Sequence, residues 1–423
     1  MELVRSAPLI RSPRADGQLL ERKAIIDWLV KDTSRERFVD NIFQELCDRL
    51  RAAGMPVARA TLHFRIQHPQ WLGARILWRD GAPEVEIETF QHGVLESPGY
   101  LESPVARVHA GDAEVRWSVS DGEENLDQYP LFRRLRDEGL TEYFAWPLEH
   151  TLGRRHVITF ASDAADGFSD DDRAFLSELL PHFALVSEIR LKNRLARTLL
   201  ETYVGPHASE EILAGAITRG SGTTVAAAII VCDLRDFTHI SELWPRDDVI
   251  EILNGYFDAI CEPIERHGGE ILKFIGDGLL AIFPLDRPTA CDDLLSAVDE
   301  AQAAMDALNA ERERGGHEIL RYGVGIHLGD VMYGNIGSRT RLDFTVIGPS
   351  VNAASRLESL TKTLKRPVLV SKAFAEQASC NRALESLGSY PLRGFGEEME
   401  VFSFSIDRWR ASMPEQAITA KAS

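Results

Sequence analysis

The first half of the chain alternates between helix-like and strand-like spacing of its apolar residues. Residues 22–53 carry apolar side chains at helical intervals, which predicts an amphipathic helix. Alternating runs follow, and the two clearest strands, 141–149 and 156–162, flank a Gly-Arg-Arg turn. The other predictions are strands at 57–67, 73–79, 84–89, 105–109 and 113–118 and a helix at 129–138. This order predicts an α/β module in which helices precede and follow a small sheet.

A long helical pattern ends this module. Residues 169–203 begin with Ser169 as a good N-cap and acidic residues in the first turn, whereas Pro181 should kink or interrupt the helix. Its apolar spacing is broadly helical without a clean heptad, so the helix either pairs with a second copy or packs on its own domain. Residues 203–224 are Gly-rich, which is typical of a connector.

The pattern changes in the second half, where fully apolar strands alternate with helices. Residues 226–233 predict a buried strand, and 270–275 and 279–283 predict strands around Gly276-Asp277-Gly278. The remaining predictions are helices at 240–266, 289–313 and 350–363 and strands at 320–328, 330–336, 342–347, 367–370, 384–394 and 399–406. Because this order is not a strict βαβ repeat, it favours an α+β sandwich over a Rossmann sheet.

Composition narrows the functional classes. The 423 residues leave room for two or three domains, and 47 basic against 65 acidic residues give a net charge of −18, which argues against nucleic-acid binding. An acidic protein can still bind a nucleotide if metal ions or a few cations neutralise it. No apolar run reaches membrane-spanning length and the start lacks a signal-peptide core, so we expect a cytoplasmic protein. The five cysteines form no CxxC pair, which argues against a zinc knuckle or a disulfide framework.

Two aspartates stand where metal chemistry is plausible. Asp233 ends the apolar strand 226–233 and precedes a helix, whose first N–H groups favour anions. Asp277 lies in the tight turn of the predicted hairpin. If the hairpin lies beside the strand, the two carboxylates converge and fit Mg²⁺ with substrate phosphates. Taken singly, the two positions are better explained by an N-cap aspartate and a plain turn.

A third feature is the segment L-D-F-T-V-I-G-P-S-V-N-A-A-S-R-L-E at 342–358. Ser350 can cap a helix on which Asn352 and Arg356, four residues apart, share one face. An amide and a guanidinium together can bind ribose and phosphate oxygens. The alternative is a surface helix on which Arg356 pairs with a nearby acid.

With these features in order, the segment from Val225 to Phe404 resembles the class III nucleotidyl cyclase catalytic domain. The resemblance rests on V-C-D-L-R-D-F-T, G-G-E-I-L-K-F-I-G-D-G, the run 325–338 and the segment 342–358. It implies a ferredoxin-like, palm-type α+β domain. The phrase from Phe168 to Leu176 also resembles the last helix of GAF domains. We therefore expect a poorly ordered start (1–20), a GAF-like regulatory domain (21–182), a signalling helix and connector (183–224), the cyclase domain (225–406) and a tail (407–423).

The resemblance implies an adenylyl cyclase that converts ATP to 3′,5′-cyclic AMP and pyrophosphate. It assigns two Mg²⁺ or Mn²⁺ ions per site to Asp233, Asp277 and the carbonyl oxygen of Leu234. Lys273 and Thr345 fall at the base-reading positions, a combination similar to the class IIIb branch. Asn352 would orient the ribose and Arg356 would stabilise charge at the α-phosphate. The other expected substrate-binding residues are Phe237 and Thr238, in the turn after Asp233, and Arg393, near the terminal phosphates.

In this family the metal aspartates and the remaining site residues come from opposite protomers. The resemblance therefore implies a homodimer with two composite active sites. For the N-terminal half, a small-molecule ligand is one interpretation of its His and Trp residues, and core packing is the other. These residues are His63, His68, Trp71, Trp78, Trp117 and Trp146.

One residue departs from the family pattern, and other functions stay open. Asp236 stands where the family loop usually has glycine, which puts negative charge near the triphosphate. The alternatives are a cyclase for GTP or a pyrimidine nucleotide and an inactive cyclase-like sensor or dimerisation protein. A diguanylate cyclase is a further alternative, because Gly268-Gly269-Glu270 faintly resembles the GG[DE]EF turn.

Overall fold

The computed structural model describes residues 13–66, 71–122, 125–379 and 384–405. The chain divides into two compact units, Met1–Leu199 and Leu200–Ser423. The predicted tail 407–423, His68 and Cys380 lie outside the described residues. In the part of the chain that is described, no helix has both the length and the apolar character needed to cross a membrane.

The N-terminal unit is a six-stranded sheet with helices before, between and after its strands. The strands are β1 (Val57–Arg65), β2 (Trp71–Arg79), β3 (Glu86–Gln91), β4 (Val115–Ser118), β5 (Glu142–His150) and β6 (Arg154–Ser162). They pair in the antiparallel order β3-β2-β1-β6-β5-β4. The helices are α1 (Pro13–Lys31), α2 (Val39–Ala52), α3 (Pro98–Leu101), α4 (Pro104–Ala110), α5 (Pro130–Asp137) and α6 (Asp170–Val204).

The two faces of this sheet differ in polarity. On β1, Leu62 and Phe64 are buried in a core with residues of α1, α2 and α6. Because successive side chains on a strand alternate between faces, Arg59 and His63 lie on the other face. That face is polar near β1 and β2, and it borders a cavity.

The predicted elements of the N-terminal unit are largely present, with three differences. The predicted helix 22–53 is two helices, and α1 begins at Pro13, inside the segment expected to be poorly ordered. The predicted strand 105–109 is wrong, because Ser103 caps α4 and Pro104 occupies its first turn. Ser169 does cap α6, since its Oγ accepts a hydrogen bond from Asp172 N at 3.2 Å. The helix continues through Pro181, so the predicted interruption is wrong.

The C-terminal unit is a mixed α+β domain. Its strands are β7 (Gly222–Leu234), β8 (Glu270–Ile275), β9 (Gly278–Pro284), β10 (Tyr322–Gly337), β11 (Leu342–Ile347), β12 (Val368–Ser371), β13 (Leu384–Tyr390) and β14 (Met399–Phe404). The sheet order is β13-β14-β12-β10-β7-β9-β8, with β11 paired to β10. Its helices are α7 (Pro206–Leu213), α8 (Phe237–Leu243), α9 (Arg246–Arg266), α10 (Ala290–Arg314), α11 (Pro349–Leu364) and α12 (Lys372–Gln377).

Helices cover both faces of this sheet. Helices α9 and α10 pack on one face over the large core that includes Tyr256 and Leu294. On the other face Ala354 of α11 joins residues of β7, β8 and β9 in a second core. The α+β prediction is therefore confirmed, and the only parallel pair among the described strands is β10 with β12.

Three details differ from the sequence prediction in this unit. The predicted helix 240–266 is divided into α8 and α9 by Trp244-Pro245, where proline removes a backbone donor. The predicted strands 320–328 and 330–336 are one strand, β10, because Gly329 and Asp330 continue the pairing with β7. Helix α12 follows β12 directly and was not predicted.

Candidate active site

Two carboxylates meet where β7 ends. The antiparallel register pairs Asp233 with Gly278, and Asp277 immediately precedes Gly278 in the β8–β9 turn. A Cβ on Gly278 would lie 2.9 Å from Oδ1 of Asp233, so only glycine allows this approach. Gly276 has φ 65°, which glycine adopts without strain. The structure thus brings the two aspartates together as the sequence predicted.

The electrostatics of this pair favour a cation. Burial raises the pKa of Asp233 to about 6, and the negative charges of Asp277 and Glu358 act in the same direction. Neighbouring carboxylates repel each other unless positive charge lies between them. The donors are hard oxygens, which suit Mg²⁺ or Mn²⁺, and the main chain at Leu234 offers a carbonyl oxygen next to Asp233. The residues present therefore fit a divalent metal.

The ligand set provided by the chain is small. Within the described residues, no three or more His, Cys, Asp and Glu side chains gather in a group that could hold a metal ion. Two carboxylates are the usual protein share of a magnesium site whose other ligands are phosphate oxygens and water. An ion at Asp233 and Asp277 would therefore be completed by the substrate.

A buried ion pair lies beneath the aspartates, and sequence reasoning missed it. Arg235 donates to Oε1 of Glu358 at 3.0 Å, and both side chains are nearly excluded from solvent. Truncating one partner of such a pair leaves an unpaired buried charge. The residue that could have indicated this pair in the sequence is Glu358. It is two residues from Arg356 and therefore lies on another face of the same helix.

The position of Asp236 explains why a glycine is common there. Its φ of 59° and ψ of 23° are left-handed, and its side chain makes no capping hydrogen bond to α8. Left-handed backbone is free for glycine and tolerable for Asp or Asn. Arg235 forms its ion pair with Glu358 and does not neutralise Asp236. Asp236 therefore remains an exposed negative charge three residues after Asp233.

This geometry separates the charge of Asp236 from its backbone role. We expect Asp236→Gly and Asp236→Asn to bind a metal–triphosphate complex about two- to fivefold more tightly, because each removes a negative charge near the phosphates. Only Asp236→Gly should also raise the melting temperature, because Asn keeps a side chain at the left-handed position. Titration with Mn²⁺–ATP and thermal unfolding measure the two effects. Equal affinity in all three proteins would refute the charge argument.

The two predicted base-reading residues lie on β8 and β11, which are not paired with each other in the sheet. Lys273 on β8 places Nζ 3.9 Å from Oδ2 of Asp343 on β11. Thr345, two residues further along β11, is 3% exposed, and its Oγ1 has no hydrogen-bond partner within the described part of the chain. Buried hydroxyls are normally satisfied, so an unpaired one is available to a ligand. Asp343 was not predicted, although its spacing places it on the same strand face as Thr345.

Helix α11 presents the predicted catalytic pair to solvent. Asn352 and Arg356 are exposed, whereas Ala353, Ala354 and Leu357 are buried, as predicted for one polar face and one core face. Ser350 does not cap this helix. The helix begins at Pro349, and the Ser350 hydroxyl donates to the Asp330 carbonyl at 3.0 Å.

Within one chain, α11 carries Asn352 away from the aspartates. Glu358 and Lys362 are near enough to Asp233 to influence its pKa. At 1.5 Å of rise per residue, Asn352 lies about 9 Å along the helix from Glu358 and about 15 Å from Lys362. Asn352 is therefore distant from the two aspartates of its own chain.

The remaining predicted site residues are at the edges of the domain. Phe237 and Thr238 form the first turn of α8, next to Asp236. Arg393 is exposed in the connection between β13 and β14. Their predicted contacts with substrate stay predictions.

A family model matches the part of the chain that contains these residues. The model of the adenylate and guanylate cyclase catalytic domain covers residues 221–405, which include every predicted site residue. The matched range begins at the first residues of β7 and ends just after β14.

Individual relatives bear both activities in their names. An adenylate cyclase from Anabaena cylindrica is 36% identical over 165 residues, covering 38% of this chain and 32% of the relative. Adenylate cyclase 1 from Rhizobium meliloti (strain 1021) is 27% identical over 258 residues, covering 58% of this chain and 39% of the relative. The solved guanylyl cyclase Cya2 is 29% identical, with a TM-score of 0.39, over 43% of this chain and 93% of that one. The chain thus spans well under half the length of the two sequence relatives.

Proposed function

Residues 221–405 belong to the adenylate and guanylate cyclase catalytic domain family, and on this premise we propose that the chain is an adenylyl cyclase. The reaction would convert ATP to 3′,5′-cyclic AMP and pyrophosphate. The observation that carries this proposal is the convergence of Asp233 with the Asp277 turn, with the pKa of Asp233 raised to about 6 by burial and by its acidic neighbours. Such a pair suits a metal–triphosphate complex and has little value as a structural contact.

Class III cyclases are metal-dependent, and we propose that Asp233, Asp277 and the Leu234 carbonyl hold two Mg²⁺ or Mn²⁺ ions. When bound, these ions make the ribose 3′-oxygen more acidic and offset the charge of the leaving pyrophosphate. Asn352 orients the ribose so that its 3′-oxygen lies in line with the α-phosphorus. Arg356 stabilises the charge that develops on the α-phosphate oxygens, and Arg393 holds the terminal phosphates.

ATP is the proposed substrate because of the groups offered to the base. The Lys273 ammonium can only donate, which suits the adenine N1 acceptor. The Thr345 hydroxyl can both accept from the adenine 6-amino group and donate, and its Oγ1 is buried without a partner among the described residues. GTP presents a donor at N1 instead, which would oppose Lys273.

The specificity proposal predicts a switch when the charge at position 273 is reversed. We expect Lys273→Glu to lower kcat/KM for ATP at least about tenfold and to raise the GTP-to-ATP preference, because a carboxylate accepts from guanine. A second protein should combine Lys273→Glu with Asp343→Asn, because the new carboxylate would otherwise lie near the negative charge of Asp343. Product analysis with Mn²⁺ and ATP, GTP, CTP or UTP measures the preference.

The matched control is Lys365→Glu, which changes an exposed lysine at the end of α11 and should leave selectivity unchanged. Preferential cyclisation of GTP or a pyrimidine nucleotide by the unaltered chain would contradict the ATP assignment. No product from any nucleotide would favour an inactive sensor or dimerisation protein.

We also propose that the active site is shared between two copies of the chain. The separation of about 9 Å along α11 between Asn352 and Glu358, which influences Asp233, supports this arrangement. One protomer would supply Asp233, Leu234 and Asp277, and its partner Lys273, Thr345, Asn352, Arg356 and Arg393. A homodimer then has two equivalent sites, as two-fold symmetry requires.

The N-terminal unit is proposed to regulate turnover. Its GAF-like character and the boundaries 21–182, 183–224 and 225–406 remain predictions. Helix α6 runs without a break from Asp170 to Val204 and includes the boundary of the two compact units at residues 199 and 200. A continuous helix can transmit a change at one end to the other, which suits a signalling role.

A further inference from the structure

The N-terminal unit contains a cavity that core packing does not explain. It has a volume of about 510 Å³ and lies between the polar face of β1 and β2 and the segment that contains α3, α4 and α5. Small-molecule sites have volumes of this order. Of the residues considered from the sequence, His63 lines the cavity, whereas Trp78 and Trp117 belong to hydrophobic cores. Trp146 donates to Glu114 at 2.6 Å.

Three buried nitrogen atoms of the lining have no partner. They are Nε of Arg59, Nε of Arg75 and Nε2 of His109, each without a hydrogen bond inside the described ranges. The Nε–H of arginine is always a donor. Buried donors are rarely left unpaired in folded proteins, so this group points to an acceptor that the chain does not supply.

The hydrogen bonds around His109 are compatible with a proton on Nε2, its free nitrogen. Arg65 donates to the Tyr100 hydroxyl, which is 3.1 Å from Nδ1 of His109. The hydroxyl accepts from the guanidinium, which only donates, and its own hydrogen can go to Nδ1, in which case the proton of the neutral imidazole is on Nε2. Burial lowers the pKa of His109 to about 4, so the ring is neutral at pH 7. With this tautomer all three free nitrogens are donors.

Among the arginines that line the cavity, Arg59 combines burial with the lack of an ion pair among the described residues. Arg75 is paired with Glu88 at 2.7 Å, and Arg79 is paired with Glu86. Arg59 is directly opposite Arg79 in the β1–β2 register. Burial lowers the pKa of Arg59, and although Tyr143 and Glu138 oppose the shift, Arg79 and Arg75 add to it. A negative group beside Arg59 would offset both the burial and the like charges.

The lining also has an apolar part. It includes Leu72, Leu77, Phe90, Val105 and Leu131. We propose that this cavity binds a small organic anion, whose carboxylate or phosphate accepts from Arg59, Arg75 and His109 and whose apolar body fills the remaining space. Apolar walls with a few convergent polar groups are typical of such sites. The proposal concerns the N-terminal unit alone and does not depend on the cyclase activity.

Binding of simple probes to the full chain tests the proposal. Benzoate and phenyl phosphate supply the two anionic groups on one apolar ring, and benzamide is the neutral match of benzoate. By calorimetric titration we expect at least one anion to bind at least about tenfold more tightly than benzamide, since hydrogen bonds to a charged acceptor are the stronger ones. The stronger of the two anions identifies the carboxylate or the phosphate as the group recognised.

Variants locate the binding. Arg59→Met should weaken binding of the preferred anion at least about tenfold. His109→Ala should have the same effect and is the variant to use if Arg59→Met fails to fold. Arg136→Met is the matched control, because Arg136 is exposed on α5, pairs with Asp137 and does not line the cavity. The proposal is overturned if neither anion binds, if benzamide binds as tightly, or if the folded cavity variants bind like wild type. Because these measurements need no turnover, they can fail while the cyclase assignment holds, and the reverse.

Discussion

Asp233→Asn is expected to lower nucleotide cyclisation by at least about three orders of magnitude, because it removes a carboxylate that would hold the metal–triphosphate complex. Asp277→Asn should have a similar effect, since the two aspartates meet across the β7–β9 pair. Initial rates with saturating Mn²⁺ and ATP measure the loss. The matched control is Asp286→Asn, which changes an exposed aspartate beyond the opposite end of β9 and should keep wild-type activity.

Asp233→Asn should also stabilise the metal-free protein at pH 8. The pKa of Asp233 is raised from 3.8 to about 6 in the folded chain, first by burial and then by Asp277 and Glu358. A raised pKa contributes stability that is present at low pH and is lost as the pH rises through about 6. In EDTA, the melting temperature of Asp233→Asn should therefore exceed that of wild type at pH 8, and the difference should shrink toward pH 4.

These two readouts distinguish a functional carboxylate from a structural one. If Asp233 were an ordinary capping or turn residue, Asp233→Asn would keep full activity, because asparagine serves in caps and turns about as well as aspartate. Full activity in Asp233→Asn would refute the metal assignment, whatever its melting temperature.

Mixing Asp233→Ala with Asn352→Ala is expected to restore activity that neither protein has alone. In a shared site, one heterodimer pocket receives both altered residues and the other receives none. If subunits exchange freely, half of the dimers are heterodimers with one intact site each, which gives about a quarter of wild-type activity. The measurement is the rate of cyclic AMP formation as the mixing ratio varies, with a maximum expected near equal amounts.

The control for this experiment uses two substitutions from the same set. Asp233→Ala mixed with Asp277→Ala should recover nothing. Each protomer supplies both aspartates to one pocket, so each pocket of the heterodimer has one altered aspartate. Heterodimers must be demonstrated in each mixture by native mass spectrometry. Demonstrated heterodimers without recovery in the Asp233→Ala and Asn352→Ala mixture would show that the site lies within one chain.

Local pattern predicted most of the elements and the central geometry of the site. Strand β7, the β8–β9 hairpin and helix α11 appear where the apolar spacing placed them. The Gly-Asp-Gly turn carries its own geometry, because Gly276 supplies the left-handed φ and Gly278 the close approach to Asp233. Such short-range signals depend on neighbouring residues alone.

Local pattern failed where a boundary depended on caps or distant partners. Residues 105–109 have strand-like composition, yet Ser103 and Pro104 start a helix there. Gly329 and Asp330 looked like a break, but β7 pairs across them and keeps β10 continuous. In both cases a contact outside the short window overrode its average preference.

The sequence by itself determined the type of domain, the identity of the two aspartates and the polar face formed by Asn352 and Arg356. Each follows from residue spacing, since strand and helix periods assign side chains to faces. Only the tertiary structure decided the Arg235–Glu358 ion pair, the approach of Lys273 to Asp343 and the cavity around Arg59. Arg235 and Glu358 are 123 residues apart, and no local pattern specifies a contact between side chains so distant in the chain. The physical reason is that such contacts depend on how strands and helices pack, which is set by the whole core and not by any single element.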